Sequence, residues 1–411
     1  MVRMFSKPPA PDTRAPCMDN VLIDLTVTAH TSARTGIQRV ALSLANALAA
    51  RTTAIPITFD PHEAAWRKLR PWEQRHLTSG EKTWSRSVSW PWHQRLLGPL
   101  RRAAGHNRDP LPQNAGLIAP EIFAATTAPT IPGLLSQIQG PRVALFYDAI
   151  ALQRPELSPL ATVGRFPSYL HSLTQFDGIA AISADSRDTL LDYWRWAGWD
   201  NLPPVVAIPL GMDMPAASMR IKSAPPGTRP VILSVGTLEG RKNHVALLAA
   251  CEGLWAAGLE FDLWLVGMAQ RQTGRASLAE INRLQAAGCP LRYDGPVGDD
   301  ALEQAYAACT FTVYPSLMEG FGLPVLESLA RGKPCVCLGS GALGESARGG
   351  GCLALPDVTA PTLAVAIREL LTVPATLQRL QTEARARHFR TWADYTDDLL
   401  RWMSTLTRRP S

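Results

Sequence analysis

The stretch EGFGLPVLE, residues 319–327, sets one carboxylate at each end of a turn built from glycines and a proline. The strand-like run FTVYPS leads into it, and in open parallel sheets ligands sit beyond the C-terminal ends of the strands. Proline is favoured at the first helical position, so Pro324 predicts a helix start, with Gly320 and Gly322 in the tight approach to it. Glu319 then lies on the loop and Glu327 about one turn into the helix. Between them the helix N-terminus offers free amide N–H groups and the positive end of a dipole, which suits phosphate. One carboxylate can accept hydrogen bonds from hydroxyls on one side of a bound phosphate, and the other from hydroxyls on the far side. A nucleotide sugar has that layout: sugar, diphosphate, ribose. The plainer alternative makes Glu327 a helix-dipole partner and Glu319 a solvated turn residue.

A second group of candidates lies in VGTLEGRKNH, residues 235–244. Gly236 ends a strand, and Arg241 and Lys242 fall just before the next helix. A leaving nucleoside diphosphate develops negative charge as a glycosidic bond breaks, and fixed cations there stabilise the transition state by roughly 2–4 kcal/mol. Two cations in a loop are usually solvated. These two stand at a strand's C-terminal end, in the same half of the chain as EGFGLPVLE.

The elements that must position these loops alternate. VLIDLTV (21–27) is strand-like, and GIQRVALSLANALAA (36–50) places apolar residues at helical spacing. VALFYDAIAL, GIAAIS and VVAIPLG continue the strand-like series. AASMRIKSAPPGTRP (216–230), poor in large apolar residues and broken by Pro-Pro-Gly, reads as a linker. After it come VILSVGT, a helix over HVALLAACEGLWAAG, and the strands FDLWLVG, LRYDGPV, FTVYPS and CVCLG. Strands alternating with helices imply parallel sheets covered on both faces, and two such series imply an α/β chain of two doubly wound domains. The expected boundaries are a flexible lead-in over 1–18, an N-terminal domain over 19–215, a linker over 216–229 and a C-terminal domain over 230–385. A terminal amphipathic helix within 386–411 can pack back on either domain.

Bulk properties narrow the class. A chain of 411 residues exceeds one ordinary core. No apolar run approaches the roughly 18 residues needed to span a bilayer, and MVRMFSKPPAPDTRAPC lacks the apolar core of a signal peptide. The cysteines form no Cys-x-x-Cys pair, and Cys335 and Cys337 alternate within an apolar strand, so free thiols in a reducing cytosol are expected. A formal charge of +6 and a pI of about 9.0 fit anionic partners such as nucleotides or anionic lipid. No nucleic-acid motif accompanies the charge, so nucleic acid is not an expected partner. Between His62 and Arg108, Trp66, Trp72, Trp84, Trp90 and Trp92 are interleaved with arginines from Arg67 to Arg102. That segment reads as a basic aromatic surface docking on a membrane or on an acidic or sugar acceptor. The plainer reading is helices with core tryptophans and solvated arginines.

EGFGLPVLE matches the Glu-seven-residues-Glu motif of retaining glycosyltransferases of the family 4 kind, which have the two-domain GT-B fold. TGIQRV, FYDAIAL, AAISADS, PLGMD and SVGTLEGRKNH extend the resemblance over about residues 20 to 400. TGIQRV, YD and GTLEGRKN look most like bacterial enzymes that add mannose and related sugars to surface polysaccharides. The resemblance implies two Rossmann-like sheets facing each other across a cleft. Glu319 would contact donor sugar hydroxyls and Glu327 the ribose. Phe321 and Gly322, with Leu323, would present backbone to the sugar and diphosphate, while Gly236 and Thr237 complete the donor side. Arg241 and Lys242 would hold the diphosphate. Gly36 would bring backbone to the cleft from the acceptor side. Arg34 and Arg39 flank that loop, either solvated or meeting an acceptor phosphate. Asp148 matches the Asp of a His-Asp pair near the reacting sugar. Glu345, in GALGESARGG, matches a recurring acidic position with a structural role or a distant contact in the donor cleft.

Two departures stand out. Thr237 occupies a position where relatives often carry Arg, leaving the cationic role to Arg241 and Lys242. Tyr147 stands where many have His, and a tyrosine is a poor proton shuttle near neutral pH. A front-face departure, in which the leaving phosphate takes the acceptor proton, needs neither that histidine nor a protein nucleophile. Asp299-Asp300 and Asp397-Asp398 resemble metal ligands only superficially, and His30, His171 and His244 are isolated, so no metal is expected. The resulting expectation is a cytosolic, metal-independent transferase with no cofactor beyond its nucleotide diphosphate sugar, GDP-mannose first. Its acceptor would be a lipid-linked glycan, with peripheral inner-membrane contact through residues 62–108. The rivals are an inactive nucleotide-sugar or glycan-binding scaffold and a nucleotide-sugar epimerase.

Overall fold

The structure is a computed structural model that describes residues 19–31, 35–78, 88–103, 110–214 and 229–409. The lead-in 1–18, almost all of the linker 216–229, and Arg34, Trp84 and Arg86 lie outside the described residues. In chain order the first sheet is built from β1 (Asn20–Asp24), β2 (Thr53–Asp60), β3 (Ala65–Lys68), β4 (Gly116–Ala119), β5 (Arg142–Phe146), β6 (Gly178–Ala181) and β7 (Val205–Ala207). Their order across the sheet is β3-β2-β1-β4-β5-β6-β7. The pairs are parallel except for β3, an antiparallel edge strand on β2. The helices are α1 (Gly36–Ala49), α2 (Pro71–Thr78), α3 (Trp92–Ala103), α4 (Ile131–Gln137), α5 (Ile150–Gln153), α6 (Leu160–Leu173) and α7 (Ala184–Trp196).

Side-chain alternation sorts the strand residues onto two buried faces. Leu22, Ala144, Phe146 and Ile179 pack with α4, α6 and α7. Val21, Ile23, Val143, Leu145 and Ala180 pack with α1 on the other face. The sequence reading passed over β2, β3 and β4 here, and the last strand of the second sheet. β2 is disguised by Pro56, since a proline argues against a central strand. The Ile57 carbonyl faces β1, accepting the Leu25 N–H at 3.0 Å. Pro56 therefore points away from β1, toward the side where the β3 pairing stops at Ile57. Leu69 still donates its N–H to the Pro56 carbonyl at 3.1 Å, so the missing donor removes only the reciprocal bond at the end of the β3 pairing. β3 falls inside the tryptophan-rich segment that reads from sequence as helices or a docking surface.

The second sheet contains β8 (Val231–Val235), β9 (Asp262–Val266), β10 (Leu291–Tyr293), β11 (Phe311–Tyr314), β12 (Cys335–Leu338) and β13 (Cys352–Leu355). It is parallel throughout, in the order β10-β9-β8-β11-β12-β13. Its helices are α8 (His244–Ala256), α9 (Arg275–Ala286), α10 (Asp299–Ala308), α11 (Leu323–Ala330), α12 (Gly341–Ala347), α13 (Ala360–Thr372) and α14 (Pro374–Ala386). Chain order reverses between β8 and β11, the switch point at which an open α/β sheet leaves a crevice. α11 starts at Leu323, one residue earlier than expected. Gly322 makes the turn into it at φ 121°, and Pro324 takes the second helical position.

The chain then crosses back. α15 (Trp392–Met403) opens on a capping box between Thr391 and Asp394. Trp392, Tyr395, Leu399 and Met403 join the α1 face of the first sheet. Arg51 pairs with Asp397 at 2.7 Å, and Met212 donates its N–H to the Arg390 carbonyl at 3.0 Å. Among the described residues no single helix is long and apolar enough to cross a membrane.

Candidate active site between the two domains

The floor of the site is set by glycines. Gly236 follows β8 and Gly267 follows β9, and a Cβ on Gly267 would lie 1.9 Å from the Gly236 carbonyl oxygen. Gly267 also sits at φ 145°, so glycine is required there on both counts. The loop leaving Gly236 coils through a short 3-10 turn, Gly240–Lys242, and enters α8 after Asn243 in the left-handed conformation. That turn points Arg241 and Lys242 at the loop after β11.

There they meet Glu319. The Lys242 Nζ lies 2.6 Å from Glu319 Oε1, and Arg241 pairs with Glu319 Oε2. The Tyr314 hydroxyl, at the end of β11, donates to Glu319 Oε1 at 2.9 Å and accepts from Lys242. Arg241 also pairs with Glu239 at 2.7 Å. Burial would push the Glu319 carboxyl up, but Arg241 and Lys242 outweigh it and hold the group at about 2. Burial pulls the Lys242 ammonium below its ordinary value against the pull of Glu319. The result is a buried cluster of two cations and two carboxylates, beside the N-terminus of α11.

The N-terminal domain supplies the opposite wall. Gly320 touches it directly: a Cβ there would lie 2.4 Å from the Tyr147 carbonyl oxygen. The Gly320 carbonyl accepts from Ser183 at 2.8 Å and Ser186 at 3.2 Å, and Ser186 also donates to the Tyr147 carbonyl at 2.6 Å. Arg39 of α1 reaches Glu327 Oε1 at 2.6 Å. Glu345 caps α7 across the interface, accepting the N–H groups of Ala184 at 3.0 Å and Asp185 at 2.7 Å. Between the domains lies a cavity of about 490 Å³, with Gly36 and Asp148 on one side and Thr237, Arg241, Glu319 and Leu323 on the other.

Residues 216–387 match the family described as glycosyl transferases group 1. Over 342 residues it is 27% identical to the serotype-specific mannosyltransferase WbdA of Escherichia coli, covering 77% of this chain and 38% of WbdA. It is 30% identical over 228 residues to the O-antigen chain mannosyltransferase B of E. coli, covering 52% of this chain and 57% of that one. It is 29% identical over 197 residues to the GDP-mannose-dependent alpha-(1-6)-phosphatidylinositol dimannoside mannosyltransferase of Mycobacterium tuberculosis, covering 46% and 49%. The chain thus spans only about two fifths of the length of WbdA. Among solved structures, sucrose-phosphate synthase from Thermosynechococcus elongatus superposes with a TM-score of 0.65 at 18% identity, covering 93% of this chain and 97% of that one. Anabaena HepE in complex with UDP and glucose gives 0.65 at 17%, covering 95% and 100%. The fold is GT-B.

The expected donor-side residues Gly236, Thr237, Arg241, Lys242, Glu319, Phe321, Gly322, Leu323 and Glu327 converge on one cavity. Phe321 gives its carbonyl to Ser346 at 2.7 Å and packs on the N-terminal core. Gly36 lines the cavity with open space where a Cβ would project. Asp148 accepts the Ile150 N–H at 3.1 Å, and burial, opposed by Arg241, raises its carboxyl above the usual range. Tyr147 lines the cavity, as expected for the acceptor-side loop, but its side-chain oxygen is turned away from it. Its hydroxyl donates to the Pro120 carbonyl at 2.6 Å inside the N-terminal core, and burial pushes it well above a phenol's ordinary value. It offers the cleft no hydrogen-bond donor. Asp397 and Asp398 pair with arginines, and His30 bonds Glu73 at 2.9 Å. The sequence reading gave no role to Tyr314, Glu239 or Gly267. Gly267 carried the same signal as Gly236, a glycine ending a strand, whereas nothing local marks Tyr314 as the bridge between Lys242 and Glu319.

Proposed function

We propose that the protein is a retaining, metal-independent hexosyltransferase that moves mannose from GDP-mannose to a lipid-linked surface glycan in the cytosol. The observation that carries this reading is Glu319 held between Arg241 and Lys242 at the switch point of one domain, facing Asp148 and Gly36 of the other. Mannose and GDP are suggested by the names of the three mannosyltransferases, one of which also names a lipid acceptor.

In this reading the diphosphate lies on the N-terminus of α11 and takes Arg241 and Lys242 as partners, supplying the positive charge that departure of the leaving group requires. Glu319 turns its lone pairs to the sugar hydroxyls. Glu327 releases Arg39 to take the ribose. The leaving phosphate accepts the acceptor's proton on the face from which it departs, consistent with a Tyr147 hydroxyl committed elsewhere. The test is turnover of GDP-mannose against UDP-glucose, with and without chelator, and the anomeric configuration of the product by NMR. Retention with GDP-mannose, insensitive to chelator, is expected, with turnover in Glu319→Ala and Lys242→Ala down about 100- to 1000-fold. An inverted product, or both variants turning over like the parent, would overturn the reading.

A further inference from the structure

The basic, tryptophan-rich segment divides into two parts with different surroundings. Trp66 packs on the N-terminal core and donates its indole N–H to Thr130 at 3.1 Å. Trp90 stacks on His30 with centroids 3.8 Å apart, and Trp72 meets both edge-on. Arg67 is buried against Asp60 at 2.9 Å and Glu73 at 2.7 Å, and Arg70 pairs with Glu63. These residues stabilise the fold.

α3 is built the other way round. At about 100° per residue, Trp92, Leu96 and Leu100 form one stripe, with Gln94 and Gly98 opposite. The polar stripe is the inner one. Gln94 is buried and accepts from Arg70 and, at 3.1 Å, from Arg101. Arg101 reaches in to Glu63 at 3.3 Å, and Gly98 packs so closely that a Cβ would lie 2.4 Å from His62 Cβ. The apolar stripe faces out: Trp92 is 74% exposed, Leu96 62% and Leu100 65%, with Leu97 beside them. A surface helix normally turns its apolar face to the core. Exposed Arg95 and Arg102 lie together along one side of the stripe, and residues 92–103 contain no acidic side chain.

We propose that α3 docks the protein on an anionic bilayer, with Trp92, Leu96 and Leu100 entering the headgroup–acyl boundary and Arg95 and Arg102 meeting lipid phosphates. An indole, a leucine stripe and adjacent arginines suit that boundary, and the chain's charge of +6 complements it. His62, against which α3 packs, follows the C-terminal end of β2. That edge of the sheet is the one from which the loop to Gly36 enters the cavity. Docking through α3 therefore turns the acceptor wall toward the lipid surface. The proposal rests on the transferase reading only for its purpose, access to a lipid-linked acceptor.

The test is flotation of the full chain with phosphatidylcholine vesicles, with and without phosphatidylglycerol, in the absence of donor. Leu96→Asp/Leu100→Asp and Arg95→Glu/Arg102→Glu are the variants, each checked by circular dichroism and by unchanged nucleotide affinity. Binding to phosphatidylglycerol vesicles that weakens with salt and falls about tenfold or more in either variant is expected. Absence of binding at low salt, or equal binding by parent and variants, overturns the proposal. A concentration-dependent dimer lost in Leu96→Asp/Leu100→Asp, without vesicle binding, would assign the face to a second copy instead. Nucleotide titration is a separate readout, so failure of docking and failure of the transferase reading remain distinguishable.

Discussion

Glu319 and Lys242 are partners in one buried pair, yet their removal should move nucleoside diphosphate affinity in opposite directions. In Glu319→Ala, Lys242, only 7% exposed, loses the carboxylate 2.6 Å from its ammonium. Breaking a buried pair from one side costs about 3–5 kcal/mol. The lower end applies, because Arg241 retains Glu239 at 2.7 Å. The empty variant should therefore unfold about 3 kcal/mol more easily. A diphosphate no longer competes with Glu319 for the two cations, and a charge-assisted hydrogen bond is worth about 1.5–3 kcal/mol net. GDP alone should bind about tenfold tighter, while turnover collapses because the sugar hydroxyls have lost their acceptor. In Lys242→Ala the carboxylate keeps Arg241 and the Tyr314 hydroxyl, so stability changes less. The same 1.5–3 kcal/mol is now lost, and GDP should bind about 10- to 100-fold more weakly. Isothermal titration with GDP and urea unfolding of both variants measure all four quantities. Equal weakening of GDP in the two variants would refute the competition between Glu319 and the diphosphate.

Three further outcomes are expected. Gly320→Ala places a methyl 2.4 Å from the Tyr147 carbonyl. It should lower turnover at least about tenfold by wedging the domains apart, at an overpacking cost of about 1–3 kcal/mol. GDP affinity, which the proposed function assigns to the C-terminal domain, should stay within about threefold by titration. Arg39→Met removes a pair whose arginine is half exposed, so stability should change by less than about 1 kcal/mol. GDP should bind a few-fold tighter as Glu327 is freed, and weaker binding would show that Arg39 itself holds the donor. Glu319, held at about 2 against an ordinary value of 4.5, binds fewer protons folded than unfolded between those values. Its contribution to stability is complete above about pH 4.5 and is lost as pH falls toward 2. Urea midpoints should be flat in this respect from pH 6 to 8, and Glu319→Gln should lose stability less steeply in acid than the parent.

The site was legible where chemistry is local. Glycines and a proline at strand ends, followed by a helix, announce a tight strand-to-helix turn because only certain backbone conformations allow it. That is how Gly236, Gly322 and the start of α11 showed in the letters, to within one residue at Leu323. Burial was not legible. Tyr147 reads as a cleft residue from its neighbours, but its hydroxyl is taken by Pro120, 27 positions away in the chain. Arg67 and Arg70 read as surface charge until the β2–β3 hairpin brings Asp60, Glu63 and Glu73 to them.

Taken alone, the sequence determined the alternation of strands and helices and the glycine- and proline-bearing turns that follow β8 and β11. Periodicity and backbone conformation are properties of short stretches, so a linear reading recovers them. Which side chains face each other across the two domains was decided only by the tertiary structure. Glu345 capping α7, Arg39 on Glu327, Gly320 against Tyr147 and the return of α15 to the first sheet join segments 160 or more residues apart. The outward apolar face of α3 belongs with them. An amphipathic period shows that a helix has two faces, and only packing shows which face is left exposed.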